Sequence, residues 1–237
     1  MPSTFLTANW KHLIMANYIV DPAILTPWLP HQTELDSYKG NSYVSLVGFM
    51  FEDTRVMGFK IPFHVNFEEV NLRFYVRYND QGKWKRGTVF IKEIVPKRAI
   101  SFVANNVYGE KYCTRKMTHF FTPCEEAIQL GYHWKQQKKW NKLEATIGVT
   151  AIPMQPGSEA EFIAEHYWGY SKHKNDTTFE YNVQHPPWNI FPVKDYLVDC
   201  DFAALYGESF AHLETAIPNS VLVAEGSAIT VLKKRKL

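Results

Sequence analysis

The sequence is poor in cysteine, and Cys113, Cys124 and Cys200 form no C-x-x-C pair. Such a set gives neither a disulfide framework nor a zinc ribbon. Charge imbalance is also missing: 26 Lys and Arg against 24 Asp and Glu leave a formal net charge of +2. A dedicated nucleic-acid binder carries a more basic domain with clustered cations, so no nucleic-acid partner is expected. The strongest basic run, Lys233, Lys234, Arg235 and Lys236, reads as a solvated C-terminal tail. Long apolar runs are lacking too. The longest, Val44 to Phe51, contains Ser45 and Gly48, whereas a membrane-spanning helix needs ~20 apolar residues. Asn9, Trp10, Lys11 and His12 interrupt the N-terminal region before a signal-peptide core forms. A soluble, cytoplasmic protein with no membrane partner is expected. There is no P-loop, no G-x-S-x-G elbow, no Rossmann glycine fingerprint and no H-E-x-x-H. The nine His residues take no short metal-ligand spacing. Neither a cofactor nor a metal is expected.

Aromatic residues, by contrast, are abundant: 16 Phe, 13 Tyr and 7 Trp among 237 residues. That content favours β-sheet and an enclosed cavity over a helical bundle. No repeat, low-complexity segment or Gly/Ser linker divides the chain, so one domain spanning 1–237 is expected. Residues 10–20 read as a strand. Asp21-Pro22 then opens a short helix, with Asp as N-cap and Pro at the first helical position. Residues 33–51 read as a hairpin turning at Lys39-Gly40-Asn41. Residues 67–78 and 84–95 read as a second hairpin. Residues 96–108 are the best helix candidate, started by Pro96 and ended by Gly109. Strands are expected near 112–121, 131–137 and 142–152. Ser158 and Glu161 have capping-box spacing ahead of a strand at 166–172. His173 to Asp176 reads as a turn before a strand from Thr177 to His185. A short helix near 201–212 and a hairpin around Glu225-Gly226 complete a β-rich α+β class.

The informative strand is FEEVNLRFYVRY, residues 67–78. Alternation puts Val70, Leu72, Phe74 and Val76 on one face, and Glu69, Asn71, Arg73, Tyr75 and Arg77 on the other. The plain reading of the second face is a solvated surface. Its carboxylate, amide, guanidinium and phenol also suit recognition of a small polar ligand. Glu69 and Arg73 stand four residues apart, so their backbones are ~13 Å apart along a strand. If Arg73 is buried it needs another anion, and a ligand carboxylate fits its planar fork. His64 leads into this strand after Pro62-Phe63. His185-Pro186-Pro187-Trp188 is a stiff segment that holds His185 in phase with Phe179, Tyr181 and Val183.

Together these segments resemble a family. TANWKHLIMANYIVDPAILTPWLP, TELDSYKGNSYVSLVGF and PFHVNFEEVNLRFYVR, followed by GEKYCTRKM, FIAEHYWGY and HPPW, are similar to motifs of the YqjF-like family of uncharacterised bacterial proteins. That family is similar in fold to acetoacetate decarboxylase. The resemblance implies a strongly bent antiparallel β-structure around a central cavity, with a few short helices. It also implies a comparison with the decarboxylase, which uses a Schiff-base lysine beside a second lysine. Aligned on Gly109, that lysine pair falls on Tyr112 and Cys113, neither of which can form a Schiff base. Lys111 falls where the decarboxylase has proline.

The expected function is therefore binding of a small, anionic metabolite such as an organic acid. The expected ligand-binding set is His64, Glu69, Asn71, Arg73, Tyr112 and His185. The alternative is an enzyme that uses Glu, His and Tyr acid–base chemistry on a small carbonyl compound. A homo-oligomer is compatible with the sequence.

Overall fold

The computed structural model describes residues 3–103, 105, 111–173 and 177–237. The first half contains β1 (Thr4–Val20), α1 (Pro22–Leu25), β2 (Thr33–Leu35), β3 (Ser42–Val56), β4 (Phe67–Asp80), β5 (Lys83–Val95), α2 (Arg98–Val103), β6 (Tyr112–Thr114) and β7 (Met117–Pro123). The second half contains β8 (Ile128–Gln136), β9 (Lys139–Ile147), β10 (Ile152–Pro153), α3 (Glu159–Ala164), β11 (Trp168–Lys172), β12 (Thr178–Gln184), β13 (Asn189–Phe191), β14 (Val193–Asp199), α4 (Phe202–Tyr206), β15 (Ser220–Leu232) and β16 (Arg235–Lys236). No described helix is long and apolar enough to cross a membrane.

The large sheet runs β15-β1-β3-β4-β5-β11-β12, and β12 pairs back onto β15 through Val183↔Val231 and Gln184↔Thr230. That last pairing closes the strongly bent sheet into a ring, which leaves these strands without a free edge. The sheet is mostly antiparallel, as expected, with two parallel pairings: β5 with β6 and β5 with β11. The first follows from chain order, because a helical crossover separates β5 from β6. A second sheet, β14-β9-β8-β7, is wholly antiparallel.

The sequence pattern of β4 explains the layering. Val70, Leu72, Phe74 and Val76 are all fully buried in a core with Leu130, Tyr132 and Trp134 of β8 and Phe202 and Leu205 of α4. The opposite face of β4 turns into the ring. Close approach between the sheets uses Gly48: a Cβ there would lie 2.7 Å from the Tyr132 ring.

Several local expectations match. Asp21 caps α1 by accepting from the Ala23 N–H at 2.8 Å. Ser158 caps α3 by accepting from the Glu161 N–H, while the Glu161 carboxylate closes back one residue earlier, on the Gly157 N–H. The β4–β5 hairpin turns at Gln81-Gly82, both at positive φ, as the right-handed twist of paired strands favours.

Others are corrected. Residues 33–51 are no simple hairpin. Lys39-Gly40 does turn the chain, but β2 pairs with β4 at Thr33↔Tyr78 and β3 pairs with β4 at Val44↔Phe74. Residues 112–121 divide at Arg115-Lys116, because β6 joins the large sheet and β7 the small one. Glu225-Gly226 is not a hairpin but the interior of β15. Gly226 at φ 80 faces the β1 kink at His12, φ 56, so both strands bend together. The basic run is not a free tail: Arg235 donates to Glu180 at 2.7 Å and reaches Asp80 at 3.2 Å, and β16 pairs with β12. The helix end expected at Gly109 and most of the turn expected at His173 to Asp176 lie outside the described residues.

Candidate functional site

Inside the ring lies a cavity of about 300 Å³. All six residues singled out from sequence, His64, Glu69, Asn71, Arg73, Tyr112 and His185, line it. Trp10, Phe49, Phe51, Phe67 and Trp188 supply much of its aromatic wall. Tyr75 does not line the cavity. It is buried beneath Arg73, with its hydroxyl 2.6 Å from Ser45 Oγ. Phe179 lies away from it as well, against the Lys234 ammonium. No lysine is among the described lining residues, and Lys111 instead sits over the Trp28 ring.

Arg73 is 8% exposed. Its Nη2 donates to the Ile163 carbonyl at 3.3 Å and lies 3.7 Å from Met15 Sδ. Ile163 belongs to the last turn of α3, where carbonyls lack helical partners. Among the described residues no carboxylate lies within 4.0 Å of this guanidinium, and its Nε has no hydrogen-bond partner. Glu69 does not neutralise it, as their spacing along β4 foretells.

Glu69 is 2% exposed. It accepts from Asn71 Nδ2 at 3.0 Å and from the Tyr112 hydroxyl at 2.9 Å. Burial outweighs these bonds and the more distant Arg73 charge, and raises its pKa to about 7. Burial together with Glu69 and Glu93 pushes the Tyr112 phenol well above its ordinary value. His185 stacks on Trp188 with ring centroids 4.2 Å apart, and its Nδ1 donates to the Pro186 carbonyl at 2.9 Å. Burial lowers its pKa. His64 is half-buried at the rim and bonds the Pro62 carbonyl at 2.8 Å.

Among the lining residues that escaped the sequence reading, Glu93 and His166 bear most on the chemistry. Glu93 is 2% exposed and pairs across β5 with Asn71 on one side and Tyr112 on the other. A bulge between Leu72↔Lys92 and Arg73↔Phe90 leaves Ile91 over. It therefore puts Thr88, Phe90 and Glu93 on the cavity together, against strict alternation. His166 is 7% exposed, and its Nε2 lies 3.4 Å from Asp36 Oδ2. Asp36 also accepts from Arg86 Nε at 2.6 Å. Burial lowers the His166 pKa to about 4.

These two buried groups give opposed pH effects. Glu69 binds its proton more tightly folded than unfolded, so its contribution is present below about pH 4.5 and lost as pH rises toward about 7. His166 binds its proton less tightly folded, so its contribution is present above about pH 6.5 and lost as pH falls toward about 4. Urea unfolding across this range should show Glu69→Gln gaining stability relative to wild type as pH rises. His166→Gln should gain relative to wild type as pH falls. Parallel curves for wild type and both variants would contradict these assignments.

Comparisons with known proteins agree with this fold. The model of the DUF2071 family, described as an uncharacterized conserved protein, matches residues 7–228. The uncharacterized protein YqjF of Bacillus subtilis is 27% identical over 187 residues, covering 76% of this chain and 72% of that protein. The crystal structure of acetoacetate decarboxylase from Legionella pneumophila aligns with a TM-score of 0.67 at 15% identity, over 100% of this chain and 88% of that one. An acetoacetate decarboxylase-like enzyme from Sphingomonas wittichii gives 0.66 at 13% identity, over 99% and 94%. The enduracididine biosynthesis enzyme MppR, complexed with pyruvate, gives 0.64 at 13% identity, over 100% and 91%.

Proposed function

The chain belongs to the DUF2071 family of uncharacterised conserved proteins, and from that premise we propose that its cavity binds a small organic acid. The observation that carries this reading is Arg73, a buried cation with a free Nε and no carboxylate within 4.0 Å among the described residues. Burying a charge without a counter-charge costs several kcal/mol, and a ligand carboxylate offsets that cost with charge-assisted hydrogen bonds. The cavity's aromatic wall suits an apolar ligand body. The pyruvate bound by MppR, a protein of similar fold, is a small acid of this kind.

Calorimetry with a matched pair tests the reading. We expect 3-phenylpropanoate to bind at least ~10-fold more tightly than neutral 3-phenylpropanamide, which is worth about 1.4 kcal/mol. Equal affinity for acid and amide would contradict it.

Glu69 supports a second reading. A carboxyl with a pKa near 7 that accepts from a phenol is suited to proton transfer. An enzyme acting on a small carbonyl compound would use Glu69 as acid or base, with Tyr112 donating to a developing oxyanion. In the resemblance to the decarboxylase, aligned on Gly109, the lysine pair falls on Tyr112 and Cys113, so such chemistry would proceed without a Schiff base.

A further inference from the structure

His166 is the last residue of Phe162-Ile163-Ala164-Glu165-His166, just beyond α3, and it faces the cavity. Its ring packs against Tyr75 at 4.7 Å and against Phe162 at 5.3 Å. Burial of Asp36 is outweighed by hydrogen bonds from His166 and Arg86, which hold its carboxyl below its ordinary pKa, so it is an ionised carboxylate at neutral pH. An ionised carboxylate only accepts hydrogen bonds, so His166 Nε2 carries the ring proton toward Asp36. Nδ1 is then left with its lone pair. That atom is buried and has no partner among the described residues.

Arg73 lies against the same Tyr75 ring, 5.7 Å from its centroid. Its free Nε is a donor, and the free Nδ1 of His166 is an acceptor. Buried polar atoms are rarely left unpaired, and these two, of opposite polarity, belong to cavity-lining residues packed on the same Tyr75 ring. A carboxylate can satisfy Arg73 but has no proton to give His166. A hydroxyl next to that carboxylate does.

We propose that Arg73 and His166 form one subsite for a hydroxy acid: Arg73 takes the carboxylate, and His166 Nδ1 accepts from a hydroxyl one or two carbons away. Asp36 acts behind His166 as a positioning residue that fixes its tautomer. This subsite rests on the reading of Arg73 as a carboxylate anchor. It adds a demand for a hydrogen-bond donor on the ligand. A site built to hydrogen-bond a hydroxyl discriminates strongly against the analogue that lacks it.

The test compares 3-phenylpropanoate with its 2-hydroxy and 3-hydroxy derivatives by calorimetry on the full chain. At least one hydroxy acid should bind ~10-fold more tightly than the parent acid. His166→Phe should abolish that preference, so that the hydroxy acids bind no more tightly than the parent acid. Because the variant removes a buried polar contact, a second measurement uses wild-type protein labelled with nitrogen-15 in its histidines. The Nδ1 resonance of His166 should move when the preferred hydroxy acid is added, beyond any shift caused by the parent acid. Equal affinity for all three acids, or an Nδ1 resonance that responds to them identically, would overturn the hydroxyl subsite while leaving the carboxylate reading intact. Failure of all three acids to bind would overturn both.

Discussion

Arg73→Met is expected to remove acid binding while leaving the protein at least as stable as wild type. The expectation follows from how poorly the protein itself satisfies this residue. Arg73 is 8% exposed, and among the described residues its guanidinium meets one carbonyl at 3.3 Å, one thioether at 3.7 Å and the face of Tyr75. None is an anion. Replacing a buried charge by an apolar side chain of similar length is often neutral or stabilising, by ~1–4 kcal/mol. Methionine fills irregular apolar space well, and Met15 already lies alongside. A charge-assisted hydrogen bond contributes ~1.5–3 kcal/mol, so affinity for 3-phenylpropanoate should fall by about 10-fold or more. Arg73→Lys keeps the charge but loses the planar fork, so an intermediate affinity is expected. Calorimetry and urea unfolding on the same preparations check both halves. A variant that binds the acid normally but unfolds early would make Arg73 a structural residue.

Gly226→Ala should produce the largest loss of stability among single-methyl changes in the ring. A Cβ at Gly226 would lie 2.1 Å from the Trp10 carbonyl oxygen and 2.7 Å from its carbonyl carbon. These are backbone atoms of the paired strand, so no side chain can swing aside. The backbone also sits at φ 80, where a side chain is strained. Clash and strain together should cost about 3 kcal/mol or more, which lowers the melting temperature of a chain this size by roughly 10 °C. Gly40 is the control. It has φ 84 but nothing within 4 Å of an added Cβ, so Gly40→Ala should cost only ~1 kcal/mol. Equal melting temperatures for the two variants would contradict the close β1–β15 approach. Trp10 lines the cavity, so Gly226→Ala should also weaken acid binding.

The parts of this site legible in sequence are those governed by one strand. Alternation along β4 separates Val70, Leu72 and Phe74 from Glu69, Asn71 and Arg73, and spacing along that strand keeps Glu69 from pairing with Arg73. Glu93 was hidden because a bulge at Ile91 shifts the face of β5 by one residue. No local pattern announces that shift. His166 was hidden because its tautomer depends on Asp36, 130 residues away in the chain. Glu225-Gly226 looks like a turn, since glycine marks most turns. Here its freedom serves a kink inside a long strand instead. Likewise, the charges at the C-terminus look solvated until Glu180, fully buried on β12, gives Arg235 a partner.

The most direct measurement is a crystal structure of the protein with 3-phenylpropanoate. The ligand carboxylate should lie on the Arg73 guanidinium, with one oxygen ~2.9 Å from Nε, and its phenyl ring among the aromatic residues of the cavity. A carboxylate bound elsewhere, with Arg73 still resting on the Ile163 carbonyl and its Nε unpaired, would contradict the proposal that this cation holds the ligand.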